Sequence, residues 1–368
     1  MRRQALPPMR NLVLTLVAAA CALSIHAAAH AEASADNAKL KTIIDGARKE
    51  GQLSIVVGEG TLGGSNSGLA AAFNKYYGFN LDVRFTPGPP MPNVVAQVVQ
   101  QYQAHHDAVT DVIVGYANHM MDLIAGKAGE KVDWQDWAPN LQAPGLVSPE
   151  SIAVPVMSST VGIAYNTTVF KGADIPTKFA DFLDAKLKGH VATTPYASSF
   201  DRLATPDMWG AEKTLDFAKK LSAQVGGLIR CNEIDRIASG EFDAFGLTCS
   251  QNDALATAAK GAPIGFTLAS DAPIVMPLYE AVPATAAHPN AAKLWINFMS
   301  SPEAQKILYE VSFADLDALP GSKTGQSIKA LQDKGVKFLI VDTDFYRHHD
   351  QAAMTKALAE VQKIFRER

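Results

Sequence analysis

Four catalytic signatures are missing from this sequence: G-x-S-x-G, H-E-x-x-H, a P-loop and C-x-x-C. Their absence removes the motif-level marks of nucleophile-elbow hydrolases, zinc peptidases, P-loop nucleotide hydrolases and dithiol redox enzymes. Dispersed residues can still assemble a catalytic site, so an exported enzyme stays as the rival class. Basic clusters are also lacking. The formal charge is −4, and loss of a leader carrying Arg2, Arg3 and Arg10 would make the body three units more acidic. An acidic body without Lys/Arg clusters argues against nucleic acid as a partner. Beyond the N-terminus no apolar run approaches the ~20 residues needed to span a bilayer. Cysteine is sparse, with three in the chain.

What is present begins with export. Arg2, Arg3 and Arg10 precede an apolar run over 12–25, and Ala29-His30-Ala31 is an A-x-A cleavage site. This is the layout of a secretory signal peptide over residues 1–31, with the periplasm as the destination. Cys21 allows a second reading, a lipid anchor, although Ala18-Ala19-Ala20 lacks the larger aliphatic residue of a lipobox. In the mature chain Cys231 and Cys249 remain. They are either two free thiols or a disulfide, which would close a loop of about 19 residues and stabilise the fold by roughly 3 kcal/mol. A chain this long exceeds what one compact core usually serves, so two domains are expected.

Periodicity predicts alternating elements. A helix over 37–50 places Leu40, Ile43, Ile44 and Ala47 on one face, and Gly51 stops it. A strand over 53–57, a helix over 67–77, a strand over 81–85, a helix over 94–102, a strand over 112–115 and a helix over 120–124 follow. After a proline-rich loop over 134–151, a long extended segment covers 154–165. Helices over 179–187, 211–224 and 234–239 alternate with strands over 191–193 and 242–248. Extended segments over 264–267 and 274–282 come next. Asn290 is expected to cap a helix over 291–299, Ser300 with Glu303 to form a capping box for the next, and a last amphipathic helix covers 351–365. This order makes an α/β protein with largely parallel sheets.

Gly58-Glu59-Gly60-Thr61-Leu62-Gly63 fits G-x-G-x-x-G between a strand and a helix. That is the dinucleotide fingerprint. The helix, however, starts nearer Ser67 than the last glycine, and Asp82 falls at the start of the second strand, where a ribose-binding acid would not sit. No nicotinamide or other cofactor is therefore expected. The same loop suits an anion, because small residues let a ligand approach helix N–H groups. Thr61, Gly64, Ser65 and Asn66 are its candidate contacts, with plain N-capping as the alternative. Tyr116, after the strand over 112–115, occupies the same sheet edge. The stretch 194–202 supplies Tyr196, Ser198, Ser199 and Arg202; the last is either a clamp on a carboxylate or phosphate or the partner of a nearby acid such as Asp201 or Asp207. Asp201, Asp207, Asp253 and Tyr196 would instead suit a polyamine. His105-His106-Asp107 and His348-His349-Asp350 read as solvated surface, and no metal site is expected.

Seven segments in order resemble the extracellular solute-binding proteins of ABC importers, in the branch of ferric-iron, polyamine and phosphonate binders. They are Ala47-Arg48-Lys49-Glu50-Gly51-Gln52-Leu53, Phe73-Asn74-Lys75-Tyr76-Tyr77-Gly78, Gly162-Ile163-Ala164-Tyr165-Asn166, Ala238-Ser239-Gly240-Glu241, Gly261-Ala262-Pro263-Ile264, His288-Pro289-Asn290-Ala291-Ala292-Lys293-Leu294 and Ser301-Pro302-Glu303-Ala304-Gln305. The resemblance implies a type II binding-protein fold, with two lobes around a ligand cleft. One lobe would hold 36–155 with 263–312, the other 160–262 with 313–368, and the hinge would lie near 156–160, turning Ser158 and Ser159 toward the cleft. It also implies a monomeric receptor that hands a small solute to a membrane permease. Iron binders place two neighbouring tyrosines where this chain has Thr248-Cys249-Ser250-Gln251, and Tyr76 and Tyr77 fall in the first lobe's packing. A small anion is the expected ligand: a carboxylate, phosphonate or phosphate ester.

Overall fold

A computed structural model describes residues 37–58 and 66–368. The expected leader, Cys21, Thr61, Gly64 and Ser65 lie outside the described residues. Helix α1 (Ala38–Glu50) is capped by the Asn37 side chain and ends at Gly51, whose φ of 72° is the left-handed geometry glycine accepts without strain. It leads into β1 (Gln52–Gly58), α2 (Asn66–Tyr77), β2 (Asp82–Gly88), α3 (Met91–Gln103), β3 (Ile113–Tyr116) and α4 (Ala117–Ala125). β1 pairs in parallel with β2, and Ile55 bridges in parallel to Val112 at the entrance of β3. β4 (Ala153–Thr160) is buried at every residue. It pairs with a strand from much later in the chain, as described below.

The extended segment expected over 154–165 is two strands, not one. The chain leaves β4 at Val161 and enters β5 (Gly162–Asn166), which belongs to a different sheet. That second sheet is completed by β6 (Val191–Thr193), β7 (Gly227–Leu228), β8 (Ala244–Gly246) and β9 (Ile264–Leu268), in the order β7-β6-β8-β5-β9. Between them lie α5 (Phe200–Leu203), α6 (Ala211–Gln224), α7 (Asp235–Ala238) and α8 (Asn252–Ala259). The helix expected over 179–187 is instead two 3-10 turns, because the Asp271 carboxylate accepts the N–H groups of Phe179 and Ala180 and fixes a separate start there.

The chain crosses back after β9. β10 (Ile274–Ala281) lies between β3 and β4, antiparallel to both. The expectation that the first lobe resumes at residue 263 is therefore corrected, since β9 pairs with β5 along its whole length. Then come α9 (Pro289–Met299), α10 (Pro302–Ser312), α11 (Lys323–Gln332), β11 (Leu339–Ile340), α12 (Thr343–His348) and α13 (Gln351–Arg366). α9 starts at Pro289, and its first N–H groups are held by Glu50 of α1, not by the Asn290 side chain: Asn290 N–H donates to Oε1 at 3.1 Å and Ala291 N–H to Oε2 at 2.8 Å. The cap of α10 is Ser301, one residue beyond the expected Ser300. The tail does not lie on the second sheet alone. α13 packs on α6, whereas α12 packs on α4.

The cores follow the sheets. Phe73 sits edge-on to Tyr77, Phe79 and Trp295 at 5.4–5.8 Å between ring centres in the first lobe. This accounts for Tyr76 and Tyr77: Asn297 donates to the Tyr77 hydroxyl at 2.7 Å and Asn140 to that of Tyr76 at 3.2 Å. Another buried cluster runs from Val95 and Met120 through Phe345 and Tyr346 to Phe200 and Phe365, so apolar contact continues from one lobe into the other. Each such side chain contributes about 1.5–3 kcal/mol on burial. Among the described residues no helix is long and apolar enough to cross a membrane.

Candidate functional site

The carboxyl ends of strands from both sheets face one cleft, where open α/β sheets place their ligands. Tyr116 ends β3, Tyr196 follows β6, Arg230 to Asn232 follow β7, and Ser250 to Asp253 follow β8. Met91 at the start of α3, Met157 and Ser159 of β4, and Leu278 of β10 complete the wall. The cavity measures about 550 Å³, within the range of small-ligand sites.

Strand pleating decides which hinge residues reach it. Successive β4 side chains point to opposite faces, so Met157 and Ser159 enter the cleft together. Ser158 cannot join them. Its hydroxyl donates to Asp317 Oδ1 at 2.5 Å on the other face, and the expectation that both serines line the cleft is corrected accordingly. Gln251 locks this crossing: its Oε1 accepts Thr160 N–H at 2.8 Å and the Thr160 hydroxyl at 3.0 Å, and its Nε2 donates to the Ser158 carbonyl at 3.2 Å.

The floor of the second-lobe side is a disulfide between Cys231 and Cys249, with their Cα atoms 5.8 Å apart. It ties the loop after β7 to the loop after β8. Tyr196 covers it: the phenol donates to Cys231 Sγ at 2.9 Å and accepts Cys231 N–H at 3.1 Å. On the first-lobe side the hydroxyls of Tyr116 and Ser159 are 3.2 Å apart. Burial pushes both phenols above the usual tyrosine range, so they stay protonated and can donate hydrogen bonds. Tyr116 also starts α4, and its N–H donates to His119 Nδ1 at 3.1 Å. Burial, reinforced by the Arg202 charge, lowers the His119 ring to about 4 and keeps it neutral.

The charges in the cleft are Arg230 and Asp253. Arg230 makes no ion pair among the described residues; it and Asp253 both act on Tyr196 through their fields. At the start of α8, Asn252 Oδ1 is buried without a hydrogen-bond partner among the described residues. Among the described residues these groups line the cleft with a guanidinium, two phenols, two asparagine amides and two serine hydroxyls against the Asp253 carboxylate, with Glu233 acting on Tyr196 from nearby. The set can hold a small oxygen-rich solute.

The sequence-predicted residues divide. Tyr116, Ser159 and Tyr196 meet in the cleft. Asn66 starts α2, and its Oδ1 is buried with no hydrogen-bond partner among the described residues. Ser198, Ser199 and Arg202 lie outside the cleft lining. Ser198 N–H donates to Thr194 Oγ1, and Ser199 has φ 66°, a left-handed conformation unlike the extended geometry of an N-cap. Arg202 instead pairs with Asp201 at 2.9 Å and donates to the Tyr346 hydroxyl at 3.3 Å. Asp207 is held by His349 at 3.0 Å. Arg230, Asn232, Ser250 and Asn252 were missed, and the available signal was their adjacency to the two cysteines. Among the described residues no group of three His, Cys, Asp or Glu is placed to hold a metal.

Known proteins share this architecture. The profile of the bacterial extracellular solute-binding proteins matches residues 107–349, well over half of the chain. No curated protein sequence matches it. A substrate-binding protein of an ABC transporter from Agrobacterium tumefaciens superposes with a TM-score of 0.68 at 17% identity, covering 85% of this chain and 96% of that one. PotD, the spermidine/putrescine ABC transporter substrate-binding protein of Streptococcus pneumoniae, gives 0.65 at 14% identity over 86% and 98%. Iron-bound HitA of Pseudomonas aeruginosa gives 0.62 at 16% identity over 85% and 99%. At these identities the likeness is one of fold, and the two-lobed α/β architecture is common to all. By its sequence profile, the chain belongs to the bacterial extracellular solute-binding proteins.

Proposed function

We propose that this protein is a periplasmic receptor that captures a small anionic solute, a carboxylate, phosphonate or phosphate ester, and delivers it to the permease of an ABC importer. The observation that carries the charge class is Arg230, whose guanidinium faces the cleft and makes no ion pair among the described residues, although the Asp253 carboxylate lines the same cleft and Glu233 accepts the Arg230 backbone N–H at 2.5 Å. A guanidinium binds carboxylate or phosphate oxygens in pairs. The phenols of Tyr116 and Tyr196 add neutral donors, and the start of α3 lacks a side-chain cap and carries the positive end of a helix dipole. The lobes divide at Val161 and again between β9 and β10, and closure about these two crossings traps the solute. The receptor acts as a monomer, without a cofactor, and returns its ligand unchanged, unlike an enzyme.

Asp253 supports a second reading. It is a cleft carboxylate beside Tyr196, as a polyamine would require. Ferric iron has less support, since the stretch Thr248-Cys249-Ser250-Gln251, where iron binders carry two tyrosines, has none, and Gln251 is committed to the hinge.

The deciding experiment is a thermal-shift screen of residues 32–368 with carboxylates, phosphonates, phosphate esters, spermidine and ferric iron, followed by calorimetry. A ligand at 100 times its Kd adds about 2.7 kcal/mol and raises Tm by a few degrees. The anionic reading expects a rise with one anion class that is lost in Arg230→Ala. A rise only with spermidine or iron overturns the charge class and keeps the receptor.

A further inference from the structure

A second cavity, of about 640 Å³, opens on the opposite face of the crossing strand β4. Ser159 looks into the cleft and the next residue, Thr160, into this cavity. One wall is the outer strand of the second sheet, β9, which presents Phe266 and Leu268, backed by Leu255 of α8. The facing wall is Phe313 after α10 and Leu331 of α11. The body of the cavity is therefore apolar and drawn from four separate elements.

Its charges are of one sign. Lys323 at the start of α11 and Lys334 just past its end line the cavity, and no aspartate or glutamate does so among the described residues. Neither lysine forms an ion pair among the described residues. Lys329, between them on the same helix, is paired with Asp333 at 2.7 Å. The carboxylate at the start of α11, Asp315, is already occupied: it accepts the Ser322 hydroxyl at 2.7 Å, Lys323 N–H at 2.7 Å and Thr324 N–H at 2.9 Å. In a chain with more acids than bases, a largely apolar cavity edged by two exposed lysines, and by no acid among the described residues, favours an anion.

We propose that this cavity is a second binding site, separate from the cleft, for an amphipathic organic anion of the medium-chain carboxylate type. The hydrocarbon lies between β9 and α11 against Phe266, Leu268 and Leu331. The carboxylate is held at the ends of α11 by Lys323 or Lys334.

The test is titration calorimetry of residues 32–368 with dodecanoate. Saturable binding at one site is expected, about tenfold weaker for decanoate because two fewer methylenes are buried. Lys323→Ala with Lys334→Ala should weaken dodecanoate at least tenfold. Leu331→Glu, on a half-exposed helix face, should abolish binding while the circular dichroism spectrum and Tm stay close to wild type. Arg230→Ala, in the cleft, should leave dodecanoate affinity unchanged. Absence of dodecanoate binding, undiminished binding in the lysine pair variant, or loss of binding in Arg230→Ala would each overturn the assignment.

Discussion

The hydroxyl of Tyr116 lies 3.2 Å from the hydroxyl of Ser159, joining the end of β3 to the crossing strand β4 at the wall of the cleft. Ser159 is buried and Tyr116 half-buried, both are neutral, and each oxygen has hydrogen-bonding capacity left for a ligand. Tyr116→Phe removes one hydroxyl without changing the ring. Affinity for the solute identified by screening is expected to fall about three- to tenfold, the effect of one neutral hydrogen bond. Unfolding free energy, read by urea denaturation, should change by less than about 1 kcal/mol. An unchanged affinity would place the solute away from Tyr116.

The disulfide links two loops that contribute Arg230, Asn232, Ser250 and Asn252 to the cleft. Cys231→Ser with Cys249→Ser is expected to lower stability by about 3 kcal/mol, from the loop of about 19 residues that it releases. Solute affinity should fall as well, because ordering both loops then costs free energy on binding. Tm and calorimetry on the oxidised protein and the double variant measure the two effects separately. Equal Kd values in the two proteins would show that the loops hold their geometry without the bond.

Glu280 is fully buried in β10, where Trp295 Nε1–H donates to Oε1 at 3.3 Å and Oε2 has no partner. Burial pushes its carboxyl up to about 8. The unfolded chain loses this proton from about pH 4.5 upward and the folded chain only near 8, so folding grows less favourable as pH rises through that window. At pH 7 the cost is on the order of 3 kcal/mol. Glu280→Gln keeps the shape and removes the titration. Its stability advantage over wild type should grow between pH 5 and 8 in chemical denaturation. A constant difference across that range would mean that Glu280 titrates normally.

His119 gives the opposite slope. Its ring is neutral in the fold, lowered to about 4 by burial and by the Arg202 charge, and Nδ1 accepts the Tyr116 N–H. The unfolded chain takes up a proton from about pH 6.5 downward, so stability is full above that value and is lost as pH falls toward 4. The loss is on the order of 3 kcal/mol. His119→Asn retains an acceptor for the first turn of α4 and should show a flatter acid limb in denaturation between pH 7 and 4. An acid limb as steep as in wild type would assign the slope to carboxylates.

Local periodicity and short-range chemistry account for much of this fold. α1 with its Gly51 stop, the alternation of strands and helices, and the last amphipathic helix all follow from apolar spacing and capping residues. The lobed architecture was legible because seven short segments keep family order. Local rules also placed Tyr116 and Tyr196 at the carboxyl ends of strands, where a cleft would form. Capping misled at Asn290 and Ser300, because a carboxylate from α1 and a serine one residue later satisfy those N–H groups. Which of these groups meet depends on long-range packing. Arg202 and Arg230 look alike in sequence. Asp201 lies close enough to Arg202 to engage its charge, whereas the loop after β7 leaves Arg230 facing the cleft. The split of one extended segment at Val161 depends on β10 and β9, strands about a hundred residues away whose pairing fixes the two sheets. Pleating then turns Ser159 to the cleft and Ser158 to Asp317, a choice set by register against β10, which no local pattern in 156–160 encodes.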